Sequence, residues 1–395
     1  MSNLKVLYSF PLWITHTGGV PTTGYHQVTG LVKQDVQVTL YCGALLNPIK
    51  GLYSQRETLK FGGLKLPLGL LGSRRSAALH DRIVARNLPR IHKKDRIDIV
   101  HCWPSGALET LKVARELGIK TVLERPNTHT RYAFEVVGRE CERLGVTLPK
   151  SHSHSFNAVF LKREEEEFEL ADCLLCPSEF VAQTFLAKGF SKDKIARHRY
   201  GFDPSRFDFP RSNLIKADEH PFKMVFLGSC EPRKGLHYAL DAWLASKTSR
   251  DGVFYICGKY IPGYRKLLAD RLAHPSVKDV GSLSNVAPLL QKCHALILPS
   301  IEEGSALVTY EARACGCVLL VSNAAGAVCE HNKNALVHKV GDVSTLRSHI
   351  DMLASDAQLL SRLRNSSLAG VPELTWDKAA ESLIRAYQEC LSPTK

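Results

Sequence analysis

Residues Leu298 to Cys317 read LPSIEEGSALVTYEARACGC. The residues leading in, His294-Ala-Leu-Ile-Leu-Pro299, are a short apolar run ended by proline, the pattern of a buried strand. Ala306 to Cys315 has helical composition, and Gly316 supplies a C-terminal stop. Glu302, Glu303, Gly304 and Ser305 fill the join. Gly304 lets a ligand come close to the backbone, and Ser305 can cap the helix. A helix start has unpaired N–H groups and the positive end of a dipole, which suit a phosphate. Glu303 stands just before that turn, and Glu311 lies ~9 Å from Ser305 along the helix axis. A carboxylate on each side of an anion site fits a ligand with hydroxyls at both ends and phosphates between. Taken alone, two glutamates read better as solvated carboxylates on a surface helix.

Bulk properties set the frame. At 395 residues the chain can build two domains with sizeable cores. With 44% hydrophobic and 23% charged residues it is too apolar for disorder. No run approaches the ~20 apolar residues of a membrane span. The start, MSNLKVLYSFPLW, enters a strand-like segment without a cleavage-site pattern, so a cytoplasmic location is expected. The twelve cysteines are scattered, and the one Cys-x-x-Cys pair, Cys173 and Cys176, lies in a strand whose alternation turns the two side chains to opposite faces. Buried thiols are the expectation, rather than a metal site or a disulfide framework. No Asp-x-Asp is present, so one common way of holding a metal-bound diphosphate is absent. No metal and no cofactor are expected.

The net charge of +13 is uneven. Residues 51–100 contain eleven Lys/Arg against four Asp/Glu. Within them KLPLGLLGSRR (65–75) is apolar and flanked by cations, so 60–96 can rest on an anionic membrane surface. The plainer reading is a loop and a surface helix whose leucines pack inward. No nucleic-acid partner is indicated.

Working outward, the strand–helix alternation covers the whole chain. Leu4–Leu12, Gln37–Cys42, Asp98–Cys102 and Lys120–Glu124 read as strands of a parallel, Rossmann-type sheet. Gly18 and Gly19 follow the first strand, with Pro21 and Gly24 expected to interrupt the next helix. Residues 131–170 read as helical, and the acidic run Glu164 to Glu167 as a solvated face. ADCLLCPSEFVAQTFLAKGF reads as strand, Ser178 cap, helix and Gly189 stop. Residues 208–220 are polar and proline-containing, a linker. The alternation restarts at Phe222–Leu227, followed by the loop GSCEPRKG (228–235) and a helix. Ligands of such sheets bind beyond the carboxyl ends of the strands.

Glu-x7-Glu between a Pro-Ser strand end and an Ala-x-Ala-x-Gly helix end resembles the donor-site signature of the retaining family 4 glycosyltransferases. Pro-Ser-Glu-Phe followed by Tyr-Gly-Phe-Asp-x-x-x-Phe resembles the end of that family's first domain. The resemblance implies an α/β, GT-B fold: two Rossmann-like domains facing a cleft. They would span 1–207 and 221–375, with a closing helix 376–392 packing back on the first. It implies sugar transfer from a nucleotide-sugar to an acceptor hydroxyl. By resemblance, Glu303 faces the donor sugar, with Glu302 as the alternative, and Glu311 holds the ribose. Gly304, Ser305, Ala306 and Leu307 meet the diphosphate. Lys234 matches the family's cation, with Arg233 as a second charge, because Ser229 stands where arginine is common. Gly18 and Gly19 match the first-domain loop, His129 a sugar-facing histidine, and Leu283 a base contact. Arg125 and Asn127 are secondary candidates, and His101, at the previous strand end, reads as structural. The rivals are an epimerase or hydrolase of nucleotide-sugars and an inactive nucleotide-sugar-binding subunit. A nicotinamide dehydrogenase is disfavoured, since no Gly-x-Gly-x-x-Gly follows either first strand.

Overall fold

The apolar runs form strands in two parallel sheets. A computed structural model describes residues 4–61, 64–65, 72–207 and 211–392. The first sheet contains β1 (Lys5–Ile14), β2 (Gln37–Leu45), β3 (Ser54–Glu57), β4 (Ile99–Cys102), β5 (Lys120–Glu124), β6 (Cys173–Cys176) and β7 (Ile195–Arg197), in the order β3-β2-β1-β4-β5-β6-β7. The second contains β8 (Lys223–Leu227), β9 (Val253–Cys257), β10 (Val277–Gly281), β11 (Ala295–Leu298), β12 (Val318–Ser322) and β13 (Ala335–His338), in the order β10-β9-β8-β11-β12-β13. In each sheet the strand order reverses beside its own first strand, where β1 meets β4 and β8 meets β11. Open parallel sheets bind ligands at such points.

Helices cover both faces of each sheet, so the central strands are apolar on both sides. In β1, Val6, Tyr8 and Phe10 enter one cluster and Leu7 the other. In β6, Cys173 and Leu175 face the first cluster, and Leu174 and Cys176 the second. The first cluster is closed by α11 (Trp376–Leu391), through Leu383, Ala386, Tyr387 and Cys390.

The structure forms two compact units. Of the described residues, one comprises those within 4–130, 157–200 and 376–392, and the other those within 131–156 and 201–375. The sequence boundary at 207 therefore differs, chiefly because 131–156 pack with the second unit. Glu140 there accepts from His237 Nε2 at 2.7 Å, and Val137 and Cys141 pack on Ile301.

Four local expectations are corrected. Helix α1 (Gly19–Lys33) runs unbroken. Pro21 sits in its first turn, where no intrahelical N–H bond is lost, and Gly24 lets Phe10 pack close. Residues 131–170 are two helices, α4 (Thr130–Leu144) and α5 (Ala158–Leu170), split by a turn. Glu164 and Glu167 are buried rather than solvated. Glu167 accepts N–H bonds from Ser105, Ala107 and Leu108 at 2.8, 3.1 and 3.2 Å, satisfying the start of α3 (Leu108–Glu116). Finally, Cys173 and Cys390 are joined by a disulfide, Cα atoms 6.4 Å apart, which ties α11 to β6. The remaining cysteines are free, and all but Cys329 are buried.

The apolar part of 60–96 lies largely outside the described residues. Helix α2 (Ser73–Asp95) follows, with Arg75, Arg82, Arg86, Arg90 and Lys93 exposed. Among the described residues no helix is long and apolar enough to cross a membrane.

Candidate functional site in the second unit

Two loops meet at the reversal point of the second sheet. The loop after β8 carries Glu231, Arg233 and Lys234, and the loop after β11 carries Glu302 and Glu303. Their backbones are pinned together, because Ile301 N–H donates to Arg233 O at 2.9 Å. Gly235 explains the glycine after the lysine: its φ is +70°, and a Cβ would lie 2.1 Å from Pro299 O.

The charges interlock. Arg233 donates from Nε to Glu231 Oε1 at 2.9 Å, and from Nη1 to Glu303 Oε1 at 2.8 Å and the Glu302 carbonyl at 3.0 Å. Lys234 Nζ also contacts Glu303 Oε1. Burial would raise Glu231, but the Arg233 charge, then a His152 hydrogen bond, pull it down to about 2. Arg233 is held above its ordinary value: burial opposes this, and the charges of Glu303, Glu231 and Glu302 override it. Arg233 thus spends its charge on three carboxylates. Lys234 has its ion pair with Glu303.

Helix α8 (Leu307–Ala314) starts beside these groups. Its cap residue is Ala306, with no side-chain cap. This corrects the expectation for Ser305, whose hydroxyl instead bonds the Tyr310 hydroxyl at 2.7 Å and Gly326 O at 3.0 Å. The cap residue itself therefore places no side-chain acceptor on the helix start. Gly326 (φ +61°) fits under this turn, where a Cβ would be 2.2 Å from Gly304 O. Glu311 is half-buried on α8, and burial pushes it up to about 7 against the pull of Arg206.

The turn between α4 and α5 supplies residues that sequence reasoning missed. His152 Nε2 lies 2.7 Å from Glu231 Oε2, and His154 Nε2 lies 3.0 Å from Glu302 Oε2. No periodicity marks them; the His-x-His in SHSHSF was the available signal. Glu302, weighed as an alternative to Glu303, is fully buried and engaged by His154 and Arg233. Among the described residues no His/Cys/Asp/Glu cluster is placed to hold a metal.

Other candidates lie elsewhere. Leu283, past β10, is 42% exposed. In the first unit, Gly18 and Gly19 are exposed at the start of α1 with φ of +85° and +60°. His129 is not at an open strand end as expected. Its ring is buried with Phe168 and Phe185, centroids 5.1 Å away in each case, and Thr184 Oγ1 accepts its backbone N–H. Arg125 is buried too, 4.2 Å above the Phe168 ring. His101 is fully buried, its Nδ1 2.6 Å from the Tyr387 hydroxyl, and burial pushes it down to about 3 despite Glu124. Asn127 is partly exposed.

Known proteins resemble this chain in sequence and in fold. Residues 221–356 match the family model of glycosyl transferases group 1, and residues 17–206 that of glycosyltransferase family 4. An N,N'-diacetylbacillosaminyl-diphospho-undecaprenol alpha-1,3-N-acetylgalactosaminyltransferase of Campylobacter jejuni is 31% identical over 121 residues, 29% of this chain and 31% of that one. The matches to curated relatives span less than half of each relative's length. A glycosyltransferase of Rickettsia africae superposes with a TM-score of 0.67 at 16% identity, covering 100% of both chains. An Anabaena protein solved with UDP-glucose superposes with a TM-score of 0.65 at 16% identity, covering 97% of this chain and 98% of that one. With two parallel α/β sheets and both family models matched in chain order, the chain belongs to the family 4, group 1 glycosyltransferases and has their GT-B fold.

Proposed function

We propose that this chain transfers a hexosyl group from a nucleotide-diphosphate sugar to an acceptor hydroxyl, with retention at the anomeric carbon. One observation carries the reading. Lys234, Glu303 and an uncapped helix start converge at the reversal point of the second sheet. The leaving group of such a transfer is an anionic nucleotide diphosphate. Lys234 and the first N–H groups of α8 neutralise that charge as it develops, which lowers the barrier. In this reading Lys234 gives up Glu303 for the phosphates, leaving Glu303 on Arg233 and facing the sugar. Glu311, along the same helix, takes the ribose hydroxyls.

In the proposed step the bond from the anomeric carbon to the diphosphate oxygen breaks. The acceptor oxygen bonds from the same face, and its proton passes to the departing diphosphate. The chain contributes positioning and charge stabilisation, with no metal assigned. The Anabaena structure with UDP-glucose supports a nucleotide-sugar donor. The name of the Campylobacter relative supports a lipid-diphosphate-linked acceptor.

Thermal-shift screening against UDP-, GDP- and ADP-sugars identifies the donor, since a bound ligand raises stability by mass action. Glu303→Gln and Lys234→Ala should each lose about a hundredfold or more in transfer rate while remaining folded. Full activity in both variants would refute the site. Product NMR showing an inverted anomeric carbon would refute retention. Consumption of donor at full rate without acceptor would favour the epimerase or hydrolase reading.

A further inference from the structure

We infer that His152 and His154 are positioning residues of this site: through Glu231 and Glu302 they fix the Arg233 guanidinium, and through it the Glu303 carboxylate. The inference rests on the proposed function.

The contacts form a chain from the turn at 150–155 to the sugar-facing carboxylate. The turn is closed by His152 N–H to Pro149 O at 2.8 Å and Ser155 N–H to His152 O at 3.0 Å. His154 N–H donates to His152 Nδ1 at 3.2 Å. That nitrogen therefore carries a lone pair, and the proton of neutral His152 sits on Nε2. His152 Nε2–H donates to Glu231 Oε2, while Arg233 Nε donates to the other oxygen, Oε1. At Glu302 the division differs: His154 Nε2 meets Oε2 at 3.0 Å, and Arg233 Nη1 takes the backbone carbonyl at 3.0 Å and reaches the same Oε2 at 3.5 Å. The two histidines thus secure both carboxylates that grip Arg233, one on its Nε side and one at Nη1. The remaining Nη1 contact is Glu303 Oε1, which Lys234 shares.

Anchoring the turn alone would not require these partners. The Glu231 and Glu302 side chains are 4% and 0% exposed. A buried carboxylate needs its lone pairs filled: His152 takes the Glu231 oxygen that Arg233 leaves open, and His154 takes the Glu302 Oε2 that Arg233 reaches only at 3.5 Å. With either histidine missing, a carboxylate would turn toward Arg233 and draw the guanidinium off Glu303. The defect would appear in the transition state, where the Glu303 contact matters, more than in donor binding.

The test uses His152→Ala, His154→Ala and the matching glutamine variants of the full chain, assayed with the donor found by thermal shift. Glutamine's amide nitrogen can donate as Nε2 does. Each alanine variant should lose about tenfold to a hundredfold in kcat with donor KM within about threefold, and glutamine should restore kcat to within about threefold. Alanine variants with unchanged kcat would overturn the inference. So would glutamine variants as slow as alanine, or activity lost only in proportion to unfolded protein. A second readout does not depend on turnover. In 15N-histidine spectra at pH 8, the signal lost in His152→Gln should have the Nε2–H tautomer pattern, and an Nδ1–H pattern would overturn the inference. If the unmodified chain turned over no nucleotide-sugar, the functional reading would fall, and the tautomer pattern would decide the histidine contacts by itself.

Discussion

Arg233→Ala removes one cation from among three buried carboxylates. Glu231, Glu302 and Glu303 have side chains 4%, 0% and 8% exposed. The cost can be worked in two ways. Against burial, Arg233 first and then His152 and Lys234 hold Glu231 at about 2 rather than an ordinary 4.5, a net shift of about 3 kcal/mol in which Arg233 is the largest stabilising contributor. Removing one partner of a buried ion pair typically costs about 3–5 kcal/mol. For a unit of this size that is a fall in Tm of roughly 6–20 °C. The pH dependence has a definite sign. A depressed carboxylate stabilises the fold above its unfolded pKa and loses that contribution as pH falls toward about 2. The deficit of the variant should therefore be largest near pH 7 and shrink by pH 4, where protonation relieves the orphaned acids. Scanning calorimetry of wild type and variant at both pH values measures this. A fall in Tm under about 2 °C at pH 7, or a deficit that grows on acidification, would refute the interlocked arrangement. Arg233→Lys should recover little, because one ammonium cannot reproduce the planar fork.

Three further outcomes are expected. Glu311 sits at about 7, and ribose hydroxyls donate best to its ionised form, so nucleotide affinity measured by calorimetry should rise by up to about tenfold from pH 6 to pH 8. A flat wild-type profile, or a slope retained in Glu311→Gln, would remove Glu311 from that role. The exposed arginines of α2, with the one acid among them (Asp81) buried, should carry the chain onto anionic vesicles at low salt. Arg82→Gln/Arg86→Gln/Arg90→Gln should release it, and no binding by wild type would end the membrane idea. Transfer should persist in EDTA, and activity abolished by EDTA and restored by manganese would contradict the metal-free reading.

Much of the fold was legible, for a physical reason. Strands buried on both faces leave uninterrupted apolar runs, and Leu298 to Cys317 joins one such run to a helix with its stop at Gly316. Ser178 was read as a cap, and its hydroxyl accepts from Val181 N–H. The candidate site was legible where it is local in sequence: Glu303, Lys234 and the α8 start. Parts that depend on distant partners were not. Ser305 has a cap's composition but is claimed by Tyr310 and Gly326. Glu164 and Glu167 look solvated until the start of α3 is known to need acceptors. His129 follows a strand end, yet three phenylalanine rings, Phe168, Phe185 and Phe190, surround it. His152 and His154 sit in a turn, and their use is set by carboxylates more than seventy positions away.

The order in which the chain is made gives α11 a consequence of its own. Its Leu383, Ala386 and Tyr387 seal an apolar face of the first sheet, yet all of 201–375 must be translated before they emerge. At typical ribosomal speeds that face waits on the order of ten seconds or more for its cover. During that interval Val6, Tyr8 and Val38 are open to chaperones or to neighbouring nascent chains. A stop codon just before Trp376 would make the exposure permanent. Short C-terminal deletions should therefore yield inclusion bodies, and the Cys173–Cys390 bond can form only after the last helix has docked.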